Sequence, residues 1–189
     1  MAINTLYVDN GILKSARKTY LAQLPKNIRL ENFFQNPVFL LLQKKLNDST
    51  YSLKFHPYKY KYFTTKSKEI ESFLNGRYFS ELVKKVLGFK KYEIKYEIRK
   101  FVPGNYTLLH DAEKEVQGVD FVIDFSKNDG NFGGHTIYLT ESEEVLTLQP
   151  VSNSLSFIER KKGLMKYTKY VTHQNTNPII QVFGTINGK

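Results

Sequence analysis

Cysteine is absent from the 189 residues, which excludes disulfides, thiolate-held zinc, iron–sulfur clusters and a cysteine nucleophile. Histidine is scarce: His56, His110, His135 and His173 are the whole set, so any metal must be held by few nitrogens together with oxygens. No apolar run approaches the roughly 18 residues a membrane-spanning helix needs, and the opening MAINTLYVDNG lacks the basic start and apolar stretch of a signal peptide. The expectation is a cytoplasmic protein with no membrane partner. No Gly-x-Ser-x-Gly elbow, Gly-Lys-Ser/Thr phosphate loop or His-Glu-x-x-His helix occurs. Hydrolase, nucleotidase and zincin readings therefore lack a starting point.

What is present is an ordinary core-forming composition, 41% apolar and 14% aromatic, with 24% charged residues. The formal net charge of +10 would concentrate polyanions around the chain, so nucleic acid is a candidate partner. The lysines are scattered, however, and basic surfaces also serve solubility. The stretch Phe55-His56-Pro57-Tyr58-Lys59-Tyr60-Lys61-Tyr62-Phe63 combines rings and cations as single-stranded RNA sites do. A tyrosine-rich strand with solvated lysines is the preferred reading of it.

The first third reads as helical, followed by a short extended stretch at Tyr51-Leu53-Phe55 interrupted by Pro57. Leu13, Ala16, Tyr20, Leu21 and Leu24 recur at spacings of three and four before Pro25, and Asn36-Pro37 opens a second helix running to Leu46. Helix signals return over Lys68 to Leu74 and Tyr78 to Leu87, ended by Gly88. From residue 92 the period changes to two: Tyr92, Ile94, Tyr96 and Ile98 alternate with Glu93, Lys95, Glu97 and Arg99. Further short strands fit 105–109, 119–125, 135–140, 144–149, 154–159, 166–172 and 178–186, each bounded by turn residues. The pattern predicts one α+β domain over 1–189: mainly helical support over 1–90, bracing a sandwich or jelly roll over 91–189.

The most informative segment is Phe101-Val-Pro-Gly104-Asn-Tyr-Thr107-Leu-Leu-His110-Asp111-Ala112. With the helices before it and the strands after it, the chain resembles the prolyl-hydroxylase-type Fe(II)/2-oxoglutarate dioxygenases, particularly their ribosomal-protein-hydroxylase branch. The resemblance implies a double-stranded β-helix of the cupin-like kind. It extends to Gly133-Gly134, which resembles the family's Gly-Gly before a central strand, and to Pro150 with Asn153, Leu155 and Phe157, which resembles its Pro-x-x-Asn-x-Leu-x-Phe strand. In that family Fe(II) is held by a His-x-Asp pair and a second histidine, and an arginine binds 2-oxoglutarate. Here His110 takes the first ligand position, Ala112 the aspartate's and Lys166 the second histidine's. Thr107 and Asn177 take 2-oxoglutarate positions, and Phe183 stands for a family tryptophan.

These substitutions remove a carboxylate, place an ammonium where a nitrogen ligand belongs, and replace a bidentate guanidinium by a neutral amide. The leading expectation is a degenerate family member with lost or altered iron and 2-oxoglutarate binding, serving as a binding or scaffold protein for an unknown peptide or protein ligand, or for RNA, with Lys166 pairing with Asp111 or Glu113. The alternative is an active oxygenase whose ligands are His110, Asp111 or Glu113, and His135 or His173. Alternation points Asp111 away from His110 on a strand, and His135 and His173 read as surface or packing residues.

Overall fold

A computed structural model describes residues 3–109, 117–127, 133–141 and 143–188. Helix α1 (Asn10–Ala22) begins where the Asp9 carboxylate accepts a hydrogen bond from the Ile12 amide, and it buries Leu13, Ala16 and Tyr20, the stripe expected from the spacing. Strand β1 (Asn27–Glu31) follows, then α2 (Asn36–Asn47) with proline in its first turn. Helix α2 buries Phe39, Leu42 and Leu46, while Leu40 and Leu41 remain exposed. Its Gln43 donates to the carbonyls of Phe125 and Ser126, tying the helix to the sheet by a buried polar contact.

Strands β2 (Ser52–His56) and β3 (Tyr60–Thr65) form a hairpin. Helix α3 (Lys68–Leu74) is capped by the Ser67 hydroxyl, and α4 (Arg77–Leu82) widens into a π-type turn over Val83–Leu87. Gly88, at φ 87°, closes it in the left-handed region that favours glycine. The strands β4 (Tyr92–Phe101), β5 (Tyr106–Thr107), β6 (Gly118–Asp124), β7 (Thr136–Thr140), β8 (Glu143–Leu148), β9 (Ser154–Arg160), β10 (Leu164–Thr168) and β11 (Ile179–Gly188) then run to the end.

All described strand pairs are antiparallel, in the order β1-β9-β6-β11-β4-β3-β5-β10-β7-β8, with β2 beside β3. The sheet curls into the double-stranded β-helix expected from the resemblance. Alternation gives it two faces. Outward residues such as Phe121, Ile123, Leu155, Phe157, Ile180 and Val182 pack with the helices in the largest core cluster. Within it, Phe79 of α4 meets Phe73 and Phe121 edge-on, with ring centroids 5.6 and 5.4 Å away. Inward residues form smaller clusters, one around Val122, Tyr138, Ile158 and Phe183, the other around Tyr62, Phe101, Val171 and Ile179.

The structure departs from the sequence reading in the first half. Three strands of that half enter the sheet, β1 at its edge and β3 between β4 and β5, so the half supplies sheet as well as helical support. Strand β1 was unrecognised because NIRLE is short and becomes a strand by pairing along its whole length with β9. The stretch 55–63 is a hairpin whose Tyr62 is buried and whose Phe55 and Tyr58 are exposed. Strand β10 ends at Thr168, earlier than the expected 172.

Two motifs acquire physical reasons. The Asn153 side chain accepts from the Phe34 amide at 2.9 Å and donates to the Phe34 carbonyl at 3.0 Å, clamping the turn before α2 to the start of β9. At Gly133 (φ 102°) a Cβ would lie 2.1 Å from the Tyr170 carbonyl oxygen, so only glycine allows the two backbones to approach.

Candidate functional site: the polar interior of the barrel

Strand β6 reads Val-Asp-Phe-Val-Ile-Asp over residues 119–124, and its period of two sends Asp120 and Asp124 inward while Phe121 and Ile123 face the helices. Asp120 is fully buried. Its Oδ2 accepts from Lys166 Nζ of β10 at 2.6 Å and from the Tyr138 hydroxyl of β7 at 3.1 Å. Its Oδ1 faces Arg160 Nε of β9 at 3.4 Å, and Arg160 in turn donates to Asn187 at 2.7 Å. A buried carboxylate needs this kind of compensation, since an isolated charge in a low-dielectric interior carries a large desolvation penalty.

The charges continue across the barrel. Lys166 Nζ lies 5.0 Å from the Phe183 ring centroid, and the Arg99 guanidinium lies 4.9 Å from that ring and 4.9 Å from Tyr62. Glu97 accepts from Arg99 at 2.9 Å, from Lys54 at 2.6 Å and from the Tyr62 hydroxyl at 2.9 Å. Burial alone would raise the Glu97 carboxyl, but Arg99, Lys54 and Tyr62 outweigh it and hold the group below the usual carboxylate value. Burial pushes Tyr62 up to about 12. Asp124 accepts from Gln181 at 2.7 Å and from the Ser126 amide at 2.8 Å, and its carboxyl is raised because burial exceeds that help.

Between Lys166, Arg99, Phe183, Thr107, Thr136 and Tyr62 lies a cavity of about 120 Å³. Small-molecule pockets usually measure roughly 300–1,000 Å³. Among the described residues no group of three His, Asp or Glu side chains is placed to hold a metal. The carboxylate that does lie inside, Asp120, is engaged by an ammonium, a guanidinium and a phenol. A divalent cation beside Asp120 would meet the ammonium's repulsion, so the described residues there do not fit one.

The structure places the sequence-derived residues unevenly. Thr107 and Lys166 come together on the same cavity; Thr107 is buried and its hydroxyl accepts from the Thr168 amide at 2.7 Å. His110, Asp111, Ala112 and Glu113 lie outside the described residues. Asn177 sits ahead of β11, where its amide donates to Thr176 at 3.3 Å, and it is not among the described residues lining the cavity. His135 is half-buried just before β7; its carbonyl accepts from the Lys169 amide, and burial and Lys169 lower its ring's proton affinity. His173 is exposed in a turn. The carboxylate described beside Lys166 is Asp120, which sequence reasoning missed. The available signal was two aspartates on one face of an otherwise apolar strand, a pattern that demands buried partners.

Curled antiparallel sheet with helices on its outer face and a charged interior together define a protein of the double-stranded β-helix fold class. Solved structures agree with that fold. A prolyl-4-hydroxylase from Pseudomonas putida superposes with a TM-score of 0.66 at 12% identity, over 94% of this chain and 99% of that one. A Trichoplax adhaerens prolyl hydroxylase, solved with a hypoxia inducible factor oxygen degradation domain peptide fragment, gives 0.68 at 10% identity over 97% and 92%. A family profile described as oxoglutarate and iron-dependent oxygenase degradation C-term matches residues 54–188, and the chain belongs to that family, within the prolyl-hydroxylase-type 2-oxoglutarate and Fe(II) oxygenases. It is 31% identical over 84 residues to prolyl 3-hydroxylase OGFOD1 of Mus musculus, and 31% over 85 residues to that of Xenopus laevis. Each match takes in 42% of this chain but only 15% and 17% of those relatives' lengths. Among the described residues no helix is long and apolar enough to cross a membrane.

Proposed function

We propose that this chain is a non-catalytic member of its family, a binding module in which an internal ion-pair network replaces iron and 2-oxoglutarate. The observation that carries this reading is the 2.6 Å contact of Lys166 with the fully buried Asp120, reinforced by Tyr138 and Arg160. A barrel that holds its own cation beside its own carboxylate has satisfied internally the charges a metal would otherwise balance. His110 is then a histidine without a metal, Ala112 and Lys166 are the substituted ligand positions, and Thr107 and Asn177 are substituted cosubstrate positions. A cytoplasmic setting and a peptide, protein or RNA partner belong to the same proposal.

The test is anaerobic loading with Fe(II) and 2-oxoglutarate, followed by metal analysis, calorimetry and an assay for succinate. The expected result is substoichiometric iron, no heat of 2-oxoglutarate binding at millimolar concentration and no succinate. Stoichiometric iron with turnover would overturn the proposal in favour of an active oxygenase using other ligands.

A further inference from the structure

The basal end of the barrel, where β6 starts and β9 and β11 end, carries a cleft of about 840 Å³. Among the described residues its lining cations are Lys26, Arg160, Lys161 and Lys162, against one acid, Glu159. That acid is already shared by Lys26 at 2.8 Å and Lys161 at 3.2 Å. Phe89 and the half-exposed Leu21 supply apolar wall, and Lys90 and Lys91, both exposed, follow Phe89 directly.

The floor of the cleft is built. Arg160, only 8% exposed, is held by Asn187 and by its ion pair with Asp120. It lies so close over Gly118 that a Cβ there would be 2.8 Å from the guanidinium and 2.6 Å from the Ile186 carbonyl. Glycine at 118 therefore leaves room for the guanidinium beside the Ile186 carbonyl.

We infer that this cleft binds the phosphodiester backbone of a single-stranded nucleic acid. The inference rests on the reading of the chain as a binding module and gives that module a ligand. Carboxylate recognition favours free arginine forks, whereas here the arginine is engaged by Asp120 and Asn187; Lys26 and Lys161 share one acid, and Lys162, with the exposed Lys90 and Lys91 next to Phe89, adds point charges that suit phosphate contact without fixed geometry. A concave, water-accessible site with an apolar wall accommodates an unpaired base beside its phosphate, which a duplex cannot offer. The net charge of +10 steers the same class of ligand toward the molecule.

The experiment is fluorescence-anisotropy titration of a 20-nucleotide single-stranded RNA, and of DNA of the same sequence, onto the intact chain at several salt concentrations. Wild type should bind with an affinity that falls steeply with salt. The charge reversal Lys91→Glu with Lys162→Glu should weaken binding about tenfold or more and reduce the log–log salt slope by about 1.4, two phosphate contacts on a single strand. Lys44→Glu with Lys66→Glu, equal in charge and placed on exposed α2 and at the end of β3, should bind as wild type does. RNA tighter than DNA, DNA tighter than RNA, or equal affinity each supports the inference, and a preference names the natural source. No binding by wild type at about 50 mM salt, equal weakening by the two double variants, or displacement of RNA by polyglutamate at matched charge would overturn it. Failure here leaves the iron and succinate results untouched, so the two proposals fail separately.

Discussion

Lys166 and Asp120 face one another across the barrel from strands that are not neighbours, β10 and β6, with their charged atoms 2.6 Å apart. Asp120 is completely buried and Lys166 one-fifth exposed, so the pair couples the two halves of the curled sheet through its interior.

Replacing one partner alone should be costly. Lys166→Met leaves Asp120 with Arg160 and Tyr138 and is expected to destabilise by about 3 kcal/mol, the low end for a buried pair broken on one side. Adding Asp120→Asn should recover only part of that loss, because the buried carboxylate charge is gone but Arg160 then lies buried without its acidic partner. Urea unfolding of the wild type, both single variants and the double variant measures the cycle; additive effects would show that the two residues are energetically independent.

Asn153 sits at φ 53° and makes two buried hydrogen bonds to Phe34. Asn153→Ala removes both and forces a residue less tolerant of that backbone region, with an expected cost of about 2–3 kcal/mol. Hydrogen exchange of the Phe34 amide supplies a local reading, which should rise more than that of amides in β4.

Gly133→Ala should be among the most damaging single-methyl additions. The new Cβ would meet backbone, the Tyr170 carbonyl, and φ 102° adds strain of about 1–3 kcal/mol before the clash is counted. Gly163→Ala is the matched control: its φ is 82°, but a Cβ there meets nothing within 4 Å, so it should show the backbone strain alone. Comparing the thermal midpoints of the two variants separates strain from collision.

Glu97 gives the fold an acid-sensitive contact. Its carboxyl is held below the usual value, so its contribution is fully present above the unfolded glutamate pKa of about 4.3 and is lost as pH falls through the lower folded value. Glu97→Gln should therefore cost about 1–2 kcal/mol at pH 7, and the difference from wild type should shrink steadily below about pH 4. A difference that stays constant from pH 7 to pH 3 would mean that Glu97 stabilises through packing rather than charge.

Most of the secondary structure was readable along the chain. Strand β4 carries eight residues of uninterrupted alternation, Tyr92 to Arg99, and α1 carries its apolar stripe within a short window. Strand β3 is different: its tyrosines and lysines favour extended backbone, but only its partners β4 and β5 give it a place in the sheet. The Gly133-Gly134 and Asn153 motifs were visible as residues, while their reasons, a colliding carbonyl at Tyr170 and a clamped Phe34, belong to segments distant in sequence.

By itself the sequence determined the class of fold, because alternation, turn residues and helical stripes are local patterns imposed by backbone geometry. It also determined that an ammonium stands at residue 166, where the resemblance places a metal ligand. Only the tertiary structure decided that Asp120 meets this ammonium, that Thr107 shares a cavity with Lys166, and that basic residues from 26 and 160–162 converge on one cleft. The physical reason is that charge compensation acts through space: which carboxylate neutralises a buried lysine depends on how the sheet curls, and no spacing along the chain records that curvature.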